Sequence, residues 1–295
     1  MENKTLPVID QNTLRWNRLN LKRNELGIVE AFNAFRDAGV EPILIKGWAA
    51  ARNYPEEKPR FFGDIDLAVS KEEYDLAERL LYEETFPKVG IDLHKELRHL
   101  DIVSWSMLFN RTELIEIDGT DIRILRPEDH FRVLCVHWLT DGGAYKERLW
   151  DIYYAVENRP KTFDWDLCLK SVSATRQKWI VTTIAIAHKY LDLDVTSLPF
   201  SVDAENIPRW MTKCLETEWS SEIRLRPLHT CLHEPRLLAR QVLKRLPGNP
   251  IQATIDVEGE FDDGWRLPKQ IGSMTRRIGP SAKRVYNTVT GRSWK

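Results

Sequence analysis

The sequence predicts an α+β protein, with a small mixed sheet flanked by helices and then a mostly helical C-terminal domain. Three observations lead there. Apolar runs with the two-residue alternation of strands recur near 43–46, 64–69, 88–94 and on both sides of Asp118-Gly119. Segments of helical period separate them, and from Pro127 onward the patterning turns almost wholly helical. The implied organisation is a lead-in at 1–24, a sheet-bearing domain at 25–126, a helical domain at 127–246, and an extended segment with basic C-terminal helices at 247–295.

Taken in order, residues 1–23 are polar and mixed, and read as a loose or weakly helical lead-in. From Glu25 to Ala38, Ile28, Phe32 and Phe35 recur at helical spacing, with Gly39 as the stop. The stretch EPILIK is the first strand and ends in a Lys46-Gly47 turn, after which a short helix begins near Trp48. Ser70 and Glu73 form a capping-box pattern that opens a helix with Ala77, Leu80 and Leu81 facing inward. ELIEI and DIRIL flank Asp118-Gly119 as a hairpin, with Glu116 on its outward face. Pro127 starts a helix carrying Phe131, Leu134, Cys135, Trp138 and Leu139, and further helices follow at 144–157, 166–175, 176–191, 208–218 and 234–246. Pro247-Gly248-Asn249-Pro250 reads as a linker, and NPIQATIDVEG beyond it as extended or strand-like. Leu267, Ile271, Met274 and Ile278 form a last apolar stripe, flanked by Lys269, Arg276 and Arg277. It would dock on its own domain, or else touch a membrane surface or nucleic acid.

The chemistry concentrates between Ile43 and Val69. Alternation puts Asp64, Asp66 and Ala68 on one face of a strand and Ile65, Leu67 and Val69 on the other. Two carboxylates so placed suit a hard divalent cation such as Mg²⁺, which in turn holds polyphosphate oxygens. Two further Asp-x-Asp pairs, Asp164/Asp166 and Asp192/Asp194, sit at helix ends, where Asp caps or turns the chain. In KVGIDLH, Asp92 projects from another strand; paired beside 64–69, it would bring a third carboxylate to complete a second metal site or act as base.

The order Lys46-Gly47, Tyr54, Arg60, Gly63-Asp64-Ile65-Asp66, then Ile91-Asp92-Leu93-His94, resembles the polymerase-beta-like nucleotidyltransferase superfamily. It is most similar to a bacterial branch of uncharacterised nucleotidyltransferases, with matching pieces at 126–137, 148–166 and 236–278. The resemblance implies a nucleotidyltransferase catalytic domain at 25–126 and transfer of an NMP from an NTP to a hydroxyl acceptor. It also implies two Mg²⁺ ions, or Mn²⁺, on Asp64, Asp66 and Asp92, and nucleotide or phosphate contacts from Lys46, Gly47, Arg60 and Gly63. Many members carry Gly-Ser or Gly-Gly where this chain has Lys46-Gly47. The lysine would offer phosphate a point charge, aided by the N-terminal dipole of the helix near Trp48, or else mark a solvated strand end. Arg60 would contact phosphate or stand as a surface arginine. His94, His130, Arg148 and Asp151 are further candidates, and His130 and His137 share a face of the first lobe helix.

Composition narrows the classes. A net charge of −1 gives no overall electrostatic address, yet the stretch from Gly264 to Lys295 holds eight basic residues, including Arg292 and Lys295, and no acid. That end of the chain would suit an anionic partner. Cys135, Cys168, Cys214 and Cys231 lack Cys-x-x-Cys spacing and fit buried thiols in a reducing, cytoplasmic setting. His229 and His233 bracket Cys231 without enough ligands for zinc. No transmembrane stretch, Walker loop, G-x-S-x-G elbow or dinucleotide fingerprint is present. The acceptor is open among a small molecule, sugar, peptide or RNA. A second reading is a non-catalytic module binding nucleotide, RNA or an acidic partner; a third is a tRNA-modifying toxin of a toxin-antitoxin pair.

Overall fold

The computed structural model describes residues 10–290, so Arg292 and Lys295 of the basic stretch lie outside the described residues. Helix α1 (Gln11–Asp37) precedes strand β1 (Ile43–Leu44), the single turn α2 (Trp48–Ala51) and strand β2 (Ile65–Val69). Helix α3 (Tyr74–Leu80), strand β3 (Ile91–Lys95) and helix α4 (Trp105–Asn110) follow, then the hairpin of β4 (Glu113–Ile117) and β5 (Thr120–Ile124). The lobe comprises α5 (Pro127–Thr140), α6 (Leu149–Glu157), α7 (Trp165–Lys170), α8 (Ala174–Leu191), α9 (Arg209–Ser220), α10 (Pro235–Leu243), α11 (Pro250–Asp256) and α12 (Leu267–Thr290).

The five strands order as β3-β2-β1-β5-β4, with parallel β2/β3 and β1/β5 pairs and antiparallel β1/β2 and β4/β5 pairs. It is the mixed sheet the alternation predicted. Strand alternation divides the core in two. Leu44, Ile65, Leu67 and Val69 pack against Ile28, Ala31, Phe32 and Phe35 of α1. Ile43, Ile45 and Ala68 point the other way and join the lobe core around Phe131, Trp138, Leu149 and Trp179. Each fully buried side chain of this size contributes roughly 1.5–3 kcal/mol. The two-faced packing fixes strand register, because a one-residue slip would exchange the two sets of side chains and press Asp66 into the core against α1.

Several local expectations meet their physics here. The hairpin turns through Asp118 and Gly119 at φ 47° and 77°, the left-handed pair that a two-residue turn requires. Ser70 Oγ accepts from Glu73 N at 3.1 Å, and regular helix begins one residue later. Asp164 caps α7 by accepting from Leu167 N, while Asp192 ends α8 in the left-handed conformation. Both acidic pairs outside the sheet therefore have structural duties.

Three expectations need correction. The lead-in is not loose from residue 11 on: α1 begins at Gln11, with Asp10 accepting from Asn12 N and Thr13 N. Its first half carries little apolar periodicity because polar contacts hold it: Lys22 Nζ lies 2.7 Å from Asp118, Asn24 donates to Phe62 O, and Glu25 accepts from Trp48 Nε1. The segment after the linker is not a strand but α11, with Pro250 at its start and the Asn249 side chain accepting from Ile251 N and Gln252 N. That cap outweighs the β-branched Ile251, Thr254 and Ile255. Finally, α12 packs its polar side inward: Ser273 and Arg277 bond Asp256, and Lys269 pairs with Asp263 at 2.7 Å. The stripe of Leu267, Ile271, Met274 and Ile278 faces out instead. Among the described residues, no helix is long and apolar enough to cross a membrane.

Candidate active site

The parallel pairing of β2 and β3 sets Asp66 directly beside Asp92 and Ala68 beside His94. All four project from the face opposite α1. Ala68 is small, which leaves the imidazole room to lean along the sheet: His94 Nε2 lies 3.1 Å from Asp92 Oδ2 and 3.5 Å from Asp66 Oδ1. Ligand atoms of Asp66, Asp92 and His94 all fall within 4.8 Å of one another. Asp64, expected within the strand, stands one residue before it and is exposed, because regular pairing of β2 starts at Ile65.

Lys46 leaves β1 on the same side and places Nζ 2.8 Å from Asp66 Oδ1, with both side chains more than nine-tenths buried. In this state the ammonium is a counter-ion to the carboxylate. Burial by itself would raise the Asp66 pKa, but contacts with His94 and Lys46 outweigh it and hold the carboxyl below its usual range. The His94 contact likewise lowers Asp92, against a smaller effect of burial. For His94, burial opposes the charged form, yet the two carboxylates prevail and raise its pKa. The imidazole nonetheless makes no well-directed hydrogen bond from either ring nitrogen. It is close to both acids but aligned with neither.

Gly47 turns at φ 57°, and a Cβ placed there would meet Asp64 O at 3.3 Å, the Phe62 ring at 3.4 Å and Asp66 Oδ2 at 3.5 Å. Glycine thus keeps open a small cradle bounded by carboxylate and carbonyl oxygens. The four-residue α2 after it is one turn, so the helix dipole expected at this point is slight. Cradle and donor set both fit a divalent cation.

The site opens into a cleft of about 580 Å³ between sheet and lobe, lined by Lys46, Gly47, Gly63, Asp64, Asp66 and Asp92 on one side and His137, Arg148 and Asp151 on the other. Arg60 forms part of this wall and is not a surface arginine. Its Nε and Nη2 donate to Asp151 Oδ1 and Oδ2 at 2.6 and 2.8 Å, and Tyr54 OH donates to Oδ1 at 2.7 Å. The pair with Asp151 outweighs burial and raises the Arg60 pKa, so its charge is permanent. Burial, the neighbouring carboxylate and its hydrogen bond keep Tyr54 protonated.

Of the lobe candidates, Arg148 and Asp151 line the cleft and His130 does not. His130, on the first turn of α5, is buried with Nε2 unpartnered; burial, then the charge of Arg52, pushes its pKa down to about 4. His137 does reach the cleft, and burial, then Lys46 and Arg148, push it down to about 3. Asn17, Lys58 and Glu147 also line the cleft and were not foreseen. Asn17 lies on the half of α1 that lacks an apolar stripe, Lys58 lies in an irregular loop, and Glu147 lies in a single 3-10 turn before α6, too short to show a periodicity. Nothing in the sequence pattern marks them.

Residues 11–89 match the model of a family described as uncharacterised nucleotidyltransferase. The match supports nucleotidyl transfer as the general reaction and an NTP as substrate. It spans Lys46, Gly47, Arg60, Gly63, Asp64 and Asp66 and stops before Asp92 and His94. No curated protein and no solved structure matches the chain.

Proposed function

We propose that this protein is a Mg²⁺-dependent nucleotidyltransferase that moves a nucleoside monophosphate from an NTP to a hydroxyl acceptor and releases pyrophosphate. One observation carries the reading. Asp66 and Asp92 stand side by side on the open sheet face, at the floor of a cleft whose walls carry Lys46, Arg60 and Arg148. A carboxylate floor under cationic walls suits a metal-bound polyphosphate.

Asp64, Asp66 and Asp92 would hold two divalent ions. When bound, these would offset the triphosphate charge and lower the pKa of the acceptor hydroxyl. The chain's own groups would do the rest. Arg60, fixed by Asp151 and Tyr54, presents its remaining nitrogen, Nη1, near Gly47 O at 3.5 Å, beside the cradle. It would bind phosphate oxygens without moving, which is what favours developing charge in the transition state. Lys46 would turn from Asp66 to the leaving phosphates, and Arg148 would bind at the cleft mouth. Asp92, half exposed, would complete the second metal site or take the acceptor proton as the oxygen bonds the α-phosphorus and the bond to the β-phosphate bridge breaks. His137, neutral at physiological pH, would orient bound nucleotide by hydrogen bonding.

The alternative of a basic binding module loses support in the described part of the tail. Lys269 and Arg277 are already paired with Asp263 and Asp256. Calorimetry with each of the four NTPs, with and without Mg²⁺, tests the proposal. Metal-dependent binding of an NTP that disappears in Asp66→Asn is expected. A folded protein that binds no NTP under either condition would overturn it.

A further inference from the structure

A three-oxygen metal site does not account for His94. A histidine at the second position after Asp92 returns to the same strand face, and here its side chain is 91% buried by its neighbours, with 9% exposed. Nε2 is directed between Asp66 and Asp92, while neither ring nitrogen has a hydrogen-bond partner of good geometry. A buried imidazole held only as a structural member would be expected to have such partners, since an unsatisfied polar atom costs about 1–3 kcal/mol. A nitrogen poised among carboxylate oxygens is instead the arrangement of a ligand set that lacks its ion. Asp64, by contrast, is exposed and outside the group whose ligand atoms converge within 4.8 Å.

From this geometry we infer that Asp66, Asp92 and His94 form a mixed oxygen-nitrogen centre for a first-row transition metal of the Mn²⁺ class, with the His94 imidazole as a direct ligand. The inference deepens the nucleotidyltransferase reading and rests on it. Mg²⁺ favours oxygen donors in a tight octahedron and retains its waters. Imidazole donors shift preference toward transition ions, and carboxylates keep Mn²⁺ within the acceptable range. Asp64 would then serve the nucleotide-borne ion at the cleft mouth, where an oxygen-only, water-rich shell suits Mg²⁺. The two positions would differ in kind.

Lys46 shapes how the centre fills. Its Nζ lies 2.8 Å from Asp66 Oδ1, so an ion at that oxygen would compete with it. The freed ammonium then lies beside the cradle at Gly47, where polyphosphate would arrive.

The test uses the full-length protein and the metals alone, Mn²⁺ and Mg²⁺, followed by Mn²⁺ with the NTP that calorimetry identifies. Pulsed EPR of the Mn²⁺-loaded protein should show ¹⁴N modulation from an imidazole, lost in both His94→Asp and His94→Asn. Wild type should favour Mn²⁺ over Mg²⁺, and His94→Asp, which restores an all-oxygen set, should narrow that preference at least about tenfold. Circular dichroism on each variant establishes that it is folded. A Mn²⁺ spectrum without ¹⁴N modulation in the wild type would overturn the inference, as would an unchanged preference in folded His94→Asp. Mg²⁺-dependent NTP binding alongside either result would leave the nucleotidyltransferase reading standing. Failure of both metals to bind, with or without NTP, would remove both.

Discussion

Two aspartates face each other across the cleft in opposite conditions. Asp151, on the lobe wall, has both oxygens occupied by Arg60, and Tyr54 adds a third hydrogen bond. Asp66, on the sheet floor, is equally buried but touches only Lys46 at hydrogen-bond distance, with His94 farther off and misaligned. Burial alone therefore does not tell the two carboxylates apart. Unused lone pairs do. A saturated carboxylate fixes its neighbours, whereas one with acceptor capacity left over beside an open cleft is available to a ligand.

The sharpest way to break the contrast is to remove charge from each side. Asp66→Asn should lower transfer by more than about 100-fold, measured in single turnover, because the floor loses its central ligand. Asp151→Ala should act first on stability. It leaves Arg60 buried and uncompensated, at a cost of about 3–5 kcal/mol in urea unfolding. Should Asp66→Asn destabilise the fold as much as Asp151→Ala, the floor carboxylate would be a structural member too. Lys46→Met sharpens the comparison from the cation's side. Without nucleotide it should strengthen Mn²⁺ binding by roughly tenfold, since the ion no longer competes with the ammonium, while triphosphate binding weakens.

The smallest effect concerns His130, which is buried and feels the charges of Arg52, Asp151 and Arg60. Its folded pKa, about 4, lies below the ordinary 6.5. Between those values the unfolded chain binds a proton that the folded chain does not. Its contribution is complete above pH 6.5 and is lost as pH falls toward 4. Urea midpoints at pH 7.5 and 4.5 should converge in His130→Asn relative to wild type; an unchanged gap would assign the acid sensitivity elsewhere.

How much of this was legible depends on whether a residue's role lies in its own strand or across the chain. Alternation gave the face of Asp66 within one strand and of Asp92 within another, because the period of a strand is a local property. The pairing that joins them needed only neighbouring strands. Asp64 was assigned to the strand because alternation marks faces and not the residue where hydrogen bonding begins. Asp151 read as a cleft candidate, but its clamp on Arg60 joins residues 91 apart, which no local pattern encodes. The Lys46–Asp66 pair escaped for a related reason: a lysine at a strand end looks solvated until the antiparallel partner carrying an aspartate is laid beside it. The start of α1 and the whole of α11 were missed because capping and side-chain bonds to distant loops, not apolar periodicity, hold them.

The place of β1 in the sheet bears on how the chain acquires its shape. Its two residues pair with β2 on one side and, through Leu44 and Ile124, with β5 on the other. The sheet's middle strand thus waits for residues 80 positions downstream before it is enclosed. Residues 11–89 end before β3 and β5, and so lack Leu93, Ile117, Ile122 and Ile124 from the core that α1 covers. The stretch that the family model matches is therefore not an autonomous folding unit. Made alone, it should melt without a cooperative transition by circular dichroism, and during synthesis it should stay open to chaperones until the hairpin has emerged.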